Sequence, residues 1–233
     1  MFAGKVAVVT GAAGALGQAV AQHFMDRDAR VVCLDISDEL LERSFPSRDG
    51  DHVFRACDLT DRSSCESAIS AVLEATGRID ILANIAGGFM MGDPVHETAD
   101  ETWDFLFNLN TRSIMYMAAA VVPHMLAAGS GKIVNVAARA AHAGVPTMGP
   151  YTASKAAVMR LTESMALELR ESGINVNSIL PGTIDTPRNR SDMPNADHST
   201  WVPTADLAEV VGFLASDAAR AVHGAGVPVD GLS

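Results

Sequence analysis

Short apolar, β-branched runs alternate with longer helix-periodic stretches along this chain, and that alternation constrains the fold more than any single motif. The strand-like runs are Lys5–Thr10, Arg30–Asp35, His52–Ala56, Ile79–Asn84, Lys132–Ala137, Asn175–Leu180 and Gly226–Val229. Between them lie helical patterns at Leu16–Arg27, Asp38–Ser44, Ser63–Thr76, Asp100–Ala128, Tyr151–Glu171 and Thr204–Ser216. Strands that are apolar throughout, not alternating, must be covered on both faces, and a helix between strands lets them run parallel. With right-handed crossovers, the expected fold is α/β: one domain over 1–233, a doubly wound parallel sheet of seven strands with helices on both faces. Ligands of such sheets bind beyond the carboxyl ends of the strands.

The composition supports a single packed domain: 48% of residues are hydrophobic and 19% charged, with no repeat, linker or low-complexity tract. A net charge of −11 argues against an electrostatic grip on nucleic acid or an anionic membrane. Cys33, Cys57 and Cys65 form no CxxC pair and are odd in number, so reduced thiols in a cytoplasmic protein are expected. The apolar run from Val6 leads straight into a glycine turn, which leaves no room for a signal peptide. Ile114–Leu126 is apolar but short and contains Pro123, which suits a buried or subunit-interface helix better than a membrane span. No histidine pair has metal-ligand spacing, so no metal is expected.

Thr10-Gly11-Ala12-Ala13-Gly14-Ala15-Leu16-Gly17 follows the first strand and opens a helix. Glycines there permit a tight turn and close backbone approach, and the helix N-terminus offers N–H groups to a pyrophosphate. Asp35 ends the second strand, 18 residues after Gly17, where a carboxylate would accept both adenosine ribose hydroxyls and repel a 2′-phosphate. The turn holds no Arg or Lys to welcome that phosphate, so NAD(H) is expected over NADP(H). The alternative for Asp35 is a helix-capping or turn aspartate, since Ser37 and Asp38 follow it.

Tyr151 and Lys155 stand four residues apart within a helical pattern, which stacks phenol and ammonium on one face. A neighbouring ammonium favours the phenolate, so the tyrosine pKa is expected to fall from about 10 toward working pH. A tyrosine tuned that way can pass a proton to or from an alcohol or carbonyl oxygen.

With these motifs in order, the chain resembles the short-chain dehydrogenase/reductases along essentially its full length. The resemblance implies a Rossmann fold and hydride transfer to or from a nicotinamide. Asp58-Leu59 is similar to the family's acidic pair at the adenine ring, and Ala83-Asn84-Ile85-Ala86-Gly87 to its Asn-Asn-Ala-Gly motif, with Ile85 replacing the second Asn. Trp103-Asp104 followed by Asn110 matches the helix carrying the family's catalytic asparagine. Pro181-Gly182-Thr183-Ile184-Asp185-Thr186 resembles the segment at the nicotinamide carboxamide. The implied catalytic residues are Tyr151, Lys155 and Asn110, with Lys155 also bonding the nicotinamide ribose. The implied cofactor contacts are Gly11, Gly14, Ala15, Leu16, Gly17 and Asp35 in the first half, then Asp58, Leu59, Asn84, Ala86 and Gly87. Tyr151, Lys155, Pro181, Gly182, Ile184 and Thr186 complete them.

Two departures stand out. Ala15 takes the place of the second glycine of the turn, a small change. Ala138, 13 residues before Tyr151 and after Ile133-Val134-Asn135, takes the place of the catalytic serine. Such a donor is typically worth ~3 kcal/mol in a site of this kind. Thr147 is a candidate substitute, or a plain loop threonine. Dihydropteridine reductases within the superfamily resemble the chain in the Gly14-Ala15-Leu16-Gly17 turn, the alanine at 138, and the segment from Asp185-Thr186-Pro187 to Trp201.

That last segment, 183–203, is polar, proline-rich and without clear periodicity. A substrate lid is expected there, with a passive loop as the alternative. Phe89, Met90, Met91, His142, Met148 and Trp201 would wall the substrate, or be core; methionines and Trp suit flat apolar ligands. The expected function is NAD(H)-dependent hydride transfer with a carbonyl, alcohol or conjugated imine. A 3-oxoacyl or steroid-type ketone is an alternative substrate class, and a low-turnover dinucleotide-binding sensor an alternative function. The resemblance further implies a homodimer or homotetramer.

Overall fold

A computed structural model describes residues 1–47 and 50–232. Its strands are β1 (Val6–Thr10), β2 (Arg30–Asp35), β3 (Val53–Ala56), β4 (Ile81–Asn84), β5 (Gly131–Val136), β6 (Ile174–Pro181), β7 (Ile184–Asp185), β8 (Val202–Pro203) and β9 (Gly226–Val229). Its α-helices are α1 (Ala15–Met25), α2 (Asp38–Ser44), α3 (Arg62–Thr76), α4 (Asp100–Phe107), α5 (Ser113–Ala128), α6 (Gly149–Leu169), α7 (Pro187–Asp192) and α8 (Thr204–Ala215).

Period two decides where each strand side chain goes. In β1, Ala7 and Val9 join one core layer with Leu16, Val20 and Phe24 of α1 and Leu207 and Val211 of α8. Val6 and Val8 point the other way, toward Ile69 and Val72 of α3 and Met117, Val121 and Met125 of α5. Burying each such side chain contributes about 1.5–3 kcal/mol, which is what holds helices on both faces. The result is a seven-stranded, all-parallel sheet in the order β3-β2-β1-β4-β5-β6-β9. The fold is the doubly wound Rossmann type that the alternation predicts. Strand order reverses between β1 and β4, so a crevice opens beyond their carboxyl ends.

Local chemistry sets the helix ends. Ser37 accepts from the Leu40 N–H to cap α2, and Asp61 accepts from Ser63 to cap α3. Gly77 closes α3 at φ +73, a conformation other residues rarely adopt.

Two expectations need correction. The predicted continuous helix Asp100–Ala128 is broken: residues Asn108–Arg112 form a π turn between α4 and α5. The run that follows, Ile114–Leu126, is largely apolar, so a one-residue shift of phase leaves no mark in the pattern. The 183–203 segment is more ordered than its irregular pattern suggests. It holds β7 and β8, paired parallel, with α7 between them. Thr186 caps α7 by accepting from Asn189 N–H, and Pro187 opens it. Arg190 makes a two-pronged ion pair with Asp185. Among the described residues, no helix is long and apolar enough to cross a membrane.

Candidate active site

The glycine turn leaves β1 toward the crevice. Gly11 has φ +62, and a Cβ there would stand 2.8 Å from the Ala86 Cα. A Cβ on Gly17 would stand 2.0 Å from the Gly11 carbonyl oxygen. These two glycines let the turn close against β4 and let α1 sit tightly on the turn. Gly14 is the N-cap of α1, with no side-chain cap and no acidic residue in the first turn. The N–H groups opening α1 at Ala15, Leu16 and Gly17 therefore remain available to an anion. That donor set fits the pyrophosphate of a dinucleotide.

Asp35 lies at the tip of β2 beside this turn. One carboxylate oxygen accepts from Ala13 N–H at 2.8 Å and the other from Ile36 N–H at 2.8 Å. Ser37 caps α2, so the helix-cap alternative for Asp35 fails, and the turn-holding alternative holds. Each oxygen keeps a further lone pair for ribose hydroxyls. Gln18 and Ser44 both donate to the Ala13 carbonyl, a brace for the turn that spacing alone did not reveal. Next along the crevice rim, Asp58 accepts from the Thr60 N–H and hydroxyl while Leu59 is buried.

A row of side chains crosses the sheet at its carboxyl end, because Thr10, Asn84, Asn135 and Ser178 share one register. Thr10 accepts from the N–H groups of Ile85 and Ala86. Asn84 donates to Asn135 at 2.9 Å, Asn135 donates to Thr162 of α6 at 2.9 Å, and all three are buried. The Asn84 amide nitrogen is thus engaged inside the protein, at the crevice end of β4.

Tyr151, Lys155 and Asn110 come together where α6 passes β4 and β5. Lys155 is buried and donates to the Val136 carbonyl at 2.8 Å. Asn110, aimed by the π turn, accepts from Gly88 N–H at 2.8 Å and donates to the Gly88 carbonyl and to Ser154. Ser154 in turn donates to the Tyr151 carbonyl, a link that has no signature in residue spacing. A Cβ built on Gly87 would stand 3.0 Å from the Asn110 Oδ1 and 3.1 Å from the Lys155 Nζ, so both groups converge on that glycine. The Tyr151 ring meets Phe89 edge-on, with centroids 4.9 Å apart.

The expected acidification of Tyr151 is not what this site does. Burial raises its pKa to about 12, and burial also lowers Lys155 to about 8. Desolvation of the phenolate is the cause, and the Lys155 Nζ is engaged by the Val136 carbonyl. At neutral pH the phenol is protonated.

Ala138 follows β5, buried and without a hydroxyl, at the start of a short 3-10 turn, Arg139–His142. Thr147 has φ +60, uncommon for a β-branched residue, and its carbonyl accepts from Gly92 N–H at 3.0 Å. That bond joins the 88–92 loop to the approach to α6. Phe89, Met90 and Met91 are 45%, 43% and 58% exposed, His142 is exposed and Met148 half-buried. Trp201 differs: it is buried and packed on His198, centroids 4.4 Å apart, so it anchors the segment instead of forming a free wall. Pro181 is buried at the end of β6, and Gly182, Ile184 and Thr186 follow half-buried into the cap of α7.

A family model described as short chain dehydrogenase matches residues 5–197, and the chain belongs to that family. It is 38% identical to the 2-(R)-hydroxypropyl-CoM dehydrogenase of Xanthobacter autotrophicus, with 97% of each chain covered. Among solved structures it is similar to levodione reductase, with a TM-score of 0.92 and 28% identity, covering 99% of this chain and 98% of that one. It is also similar to an NAD+-bound xylitol dehydrogenase, with a TM-score of 0.90 and 28% identity over 99% of both. These relatives are oxidoreductases, and this chain is an oxidoreductase of the same family with a nucleotide-binding Rossmann fold.

Proposed function

We propose that the protein is an NAD(H)-dependent dehydrogenase or reductase in which Tyr151 exchanges a proton with the substrate oxygen or nitrogen. The observation that carries the reading is the convergence of Asn110 Oδ1 and Lys155 Nζ on Gly87, one helical turn from Tyr151 and beside the glycine turn. When bound, NAD supplies the hydride or accepts it. Ala15, Leu16 and Gly17 N–H groups hold the pyrophosphate, Asp35 selects an unphosphorylated ribose, and Asp58 and Leu59 border the adenine. Ala86 and Gly87 give backbone contact, while Pro181, Gly182, Ile184 and Thr186 face the carboxamide. Segment 183–203 serves as the lid.

In the reducing direction the protonated phenol of Tyr151 donates to the substrate carbonyl oxygen, and Lys155 resupplies the proton, with Asn110 holding the hydrogen-bonded relay in place. In the oxidising direction the phenol must first lose its proton. The wall at Phe89, Met90, Met91 and Met148 carries no formal charge, which supports an apolar cyclic or branched alcohol or ketone. Ala138 offers such a substrate no hydroxyl. A conjugated imine such as a quinonoid dihydropterin has less need of one, in line with the sequence likeness to dihydropteridine reductases. The same alanine favours the second reading, a dinucleotide-binding protein with little turnover.

Mixing the protein with NADH and a panel of cyclic ketones, 3-oxoacyl thioesters, steroid ketones, quinones and quinonoid dihydropterin separates these. We expect NADH oxidation with a cyclic acceptor; tight NADH binding with no acceptor turned over would establish the second reading. Asp35→Ala should weaken NADH about tenfold or more while leaving NADPH nearly unchanged, the cost of losing charge-assisted bonds to a ribose. Equal weakening of both dinucleotides would refute the role of Asp35.

A further inference from the structure

Beneath the rim that carries Asp58 and Leu59 lie two thiols that the chemistry above does not use. Cys57 follows β3 and Cys65 sits in the first turns of α3, and both are buried. Both thiols lie in the same core layer, with the Cys65 sulfur against the carbonyl of Asp58, the residue after Cys57. Ser64 donates to the Cys57 sulfur at 3.9 Å, and the Cys65 thiol donates to the Asp58 carbonyl at 3.7 Å. The short loop between them is held by Asp58 N–H on the Ser64 hydroxyl and by Asp61 N–H on the Asp58 carbonyl. The pair is also tied to the ribose end of the crevice, since Cys57 N–H donates to the Asp35 carbonyl at 2.7 Å.

We propose that Cys57 and Cys65 form a reversible dithiol–disulfide pair, oxidised by peroxide, whose closure weakens NAD(H) binding at the Asp35–Asp58 rim. The effect on NAD(H) rests on the cofactor reading given above; the cross-link itself does not. The bond from Cys65 and that from Ser64 favour the Cys57 thiolate, whereas burial and the Cys57 sulfur push Cys65 upward, which gives the two sulfurs distinct parts. The Cys57 thiolate attacks one peroxide oxygen and hydroxide leaves, giving a sulfenic acid. The Cys65 sulfur then displaces that oxygen, its proton leaving with the hydroxyl as water. In sum, two thiols and one hydrogen peroxide become one disulfide and two waters.

Closing the bond brings the two sulfurs to about 2.05 Å. The Asp58 carbonyl loses the Cys65 donor, and the pull passes through Cys57 to the Asp35 carbonyl. Both thiols are nearly inaccessible, so the Asp58–Asp61 loop must lift to admit oxidant, and a dinucleotide lying on that rim holds it down.

The test treats the reduced, full-length protein with hydrogen peroxide, with and without NADH, and then with dithiothreitol. Arg55 and Arg62 let trypsin separate the two cysteines, so a non-reduced digest reveals the bridge as a linked peptide pair. We expect a loss of two hydrogens, the Cys57–Cys65 linked pair, slower cross-linking with NADH present, and a several-fold weaker NADH Kd that dithiothreitol restores. Cys57→Ser and Cys65→Ala should each abolish the linked pair and keep NADH affinity through peroxide treatment; either variant suffices if the other fails to fold. Oxygen adducts without a linked pair would overturn the dithiol assignment. A linked pair with unchanged NADH affinity would overturn its effect on binding. An untreated protein that binds no NADH would instead sink the cofactor reading, while the mass of the cross-link would still be read independently.

Discussion

At the scale of single residues, desolvation governs the reactive phenol. With its pKa raised to about 12, Tyr151 is a ready acid and a reluctant base at neutral pH. Alcohol oxidation needs the phenolate, so kcat/KM for oxidation should rise about tenfold per pH unit from pH 6. That slope should flatten above about pH 8, where Lys155 gives up its proton and the relay loses its cation. Ketone reduction should stay nearly level up to about pH 8 and fall above it, as the same cation is lost. A rate profile in both directions checks this, and an oxidation rate independent of pH would remove the phenol from the mechanism. Tyr151→Phe should lose about a hundredfold or more in turnover with NADH affinity intact. Gly87→Ala is a subtler probe, because its methyl would crowd the Asn110 oxygen and the Lys155 nitrogen without any backbone strain at positive φ. It should fold normally yet lower kcat about tenfold or more, the loss typical of misplaced catalytic groups. Residue spacing made Tyr151 and Lys155 legible in the sequence. It could not reveal the Asn84–Asn135–Thr162 chain, since what an amide at a strand end bonds depends on its neighbour across the ladder.

At the scale of elements, the sheet was readable because its strands are apolar on both faces and the helices between them are amphipathic. The π turn was not, since the one-residue shift it makes is masked where the following run, Ile114–Leu126, is largely apolar. The α7 cap was within reach: Thr186 followed by Pro187 is a helix-opening pair, masked by the polar run around it. Order in this segment has a functional consequence. The Arg190–Asp185 pair is exposed, so Arg190→Ala should leave the melting temperature unchanged. If the segment is held over substrate by that pair, the same change should raise substrate KM several-fold with little effect on NADH. Steady-state kinetics beside a thermal melt distinguish this from a passive loop, for which neither value would move.

At the scale of the whole molecule, several large apolar side chains remain on the outer faces of α4, α5 and α6. Trp103 is 46% exposed, Met115 48% and Leu167 64%. A homodimer or homotetramer packed through these helices would cover them, and the candidate catalytic residues Asn110, Tyr151 and Lys155 lie between or on the same helices. The double variant Met115→Glu, Leu167→Glu should sediment as a smaller species than wild type and lose activity in proportion. Sedimentation velocity tests this, and an unchanged particle would place the subunit contact elsewhere.

The extra residue at Asn108–Arg112 locks the length of its segment. Deleting any one codon there would re-phase everything downstream in α5 by about 100°, swinging buried Met117 and Val121 toward water and withdrawing the Asn110 amide at once. Asn110 apart, substitution can be tolerated across that stretch, but shortening cannot, so among viable descendants of this gene its length should be the last thing to drift.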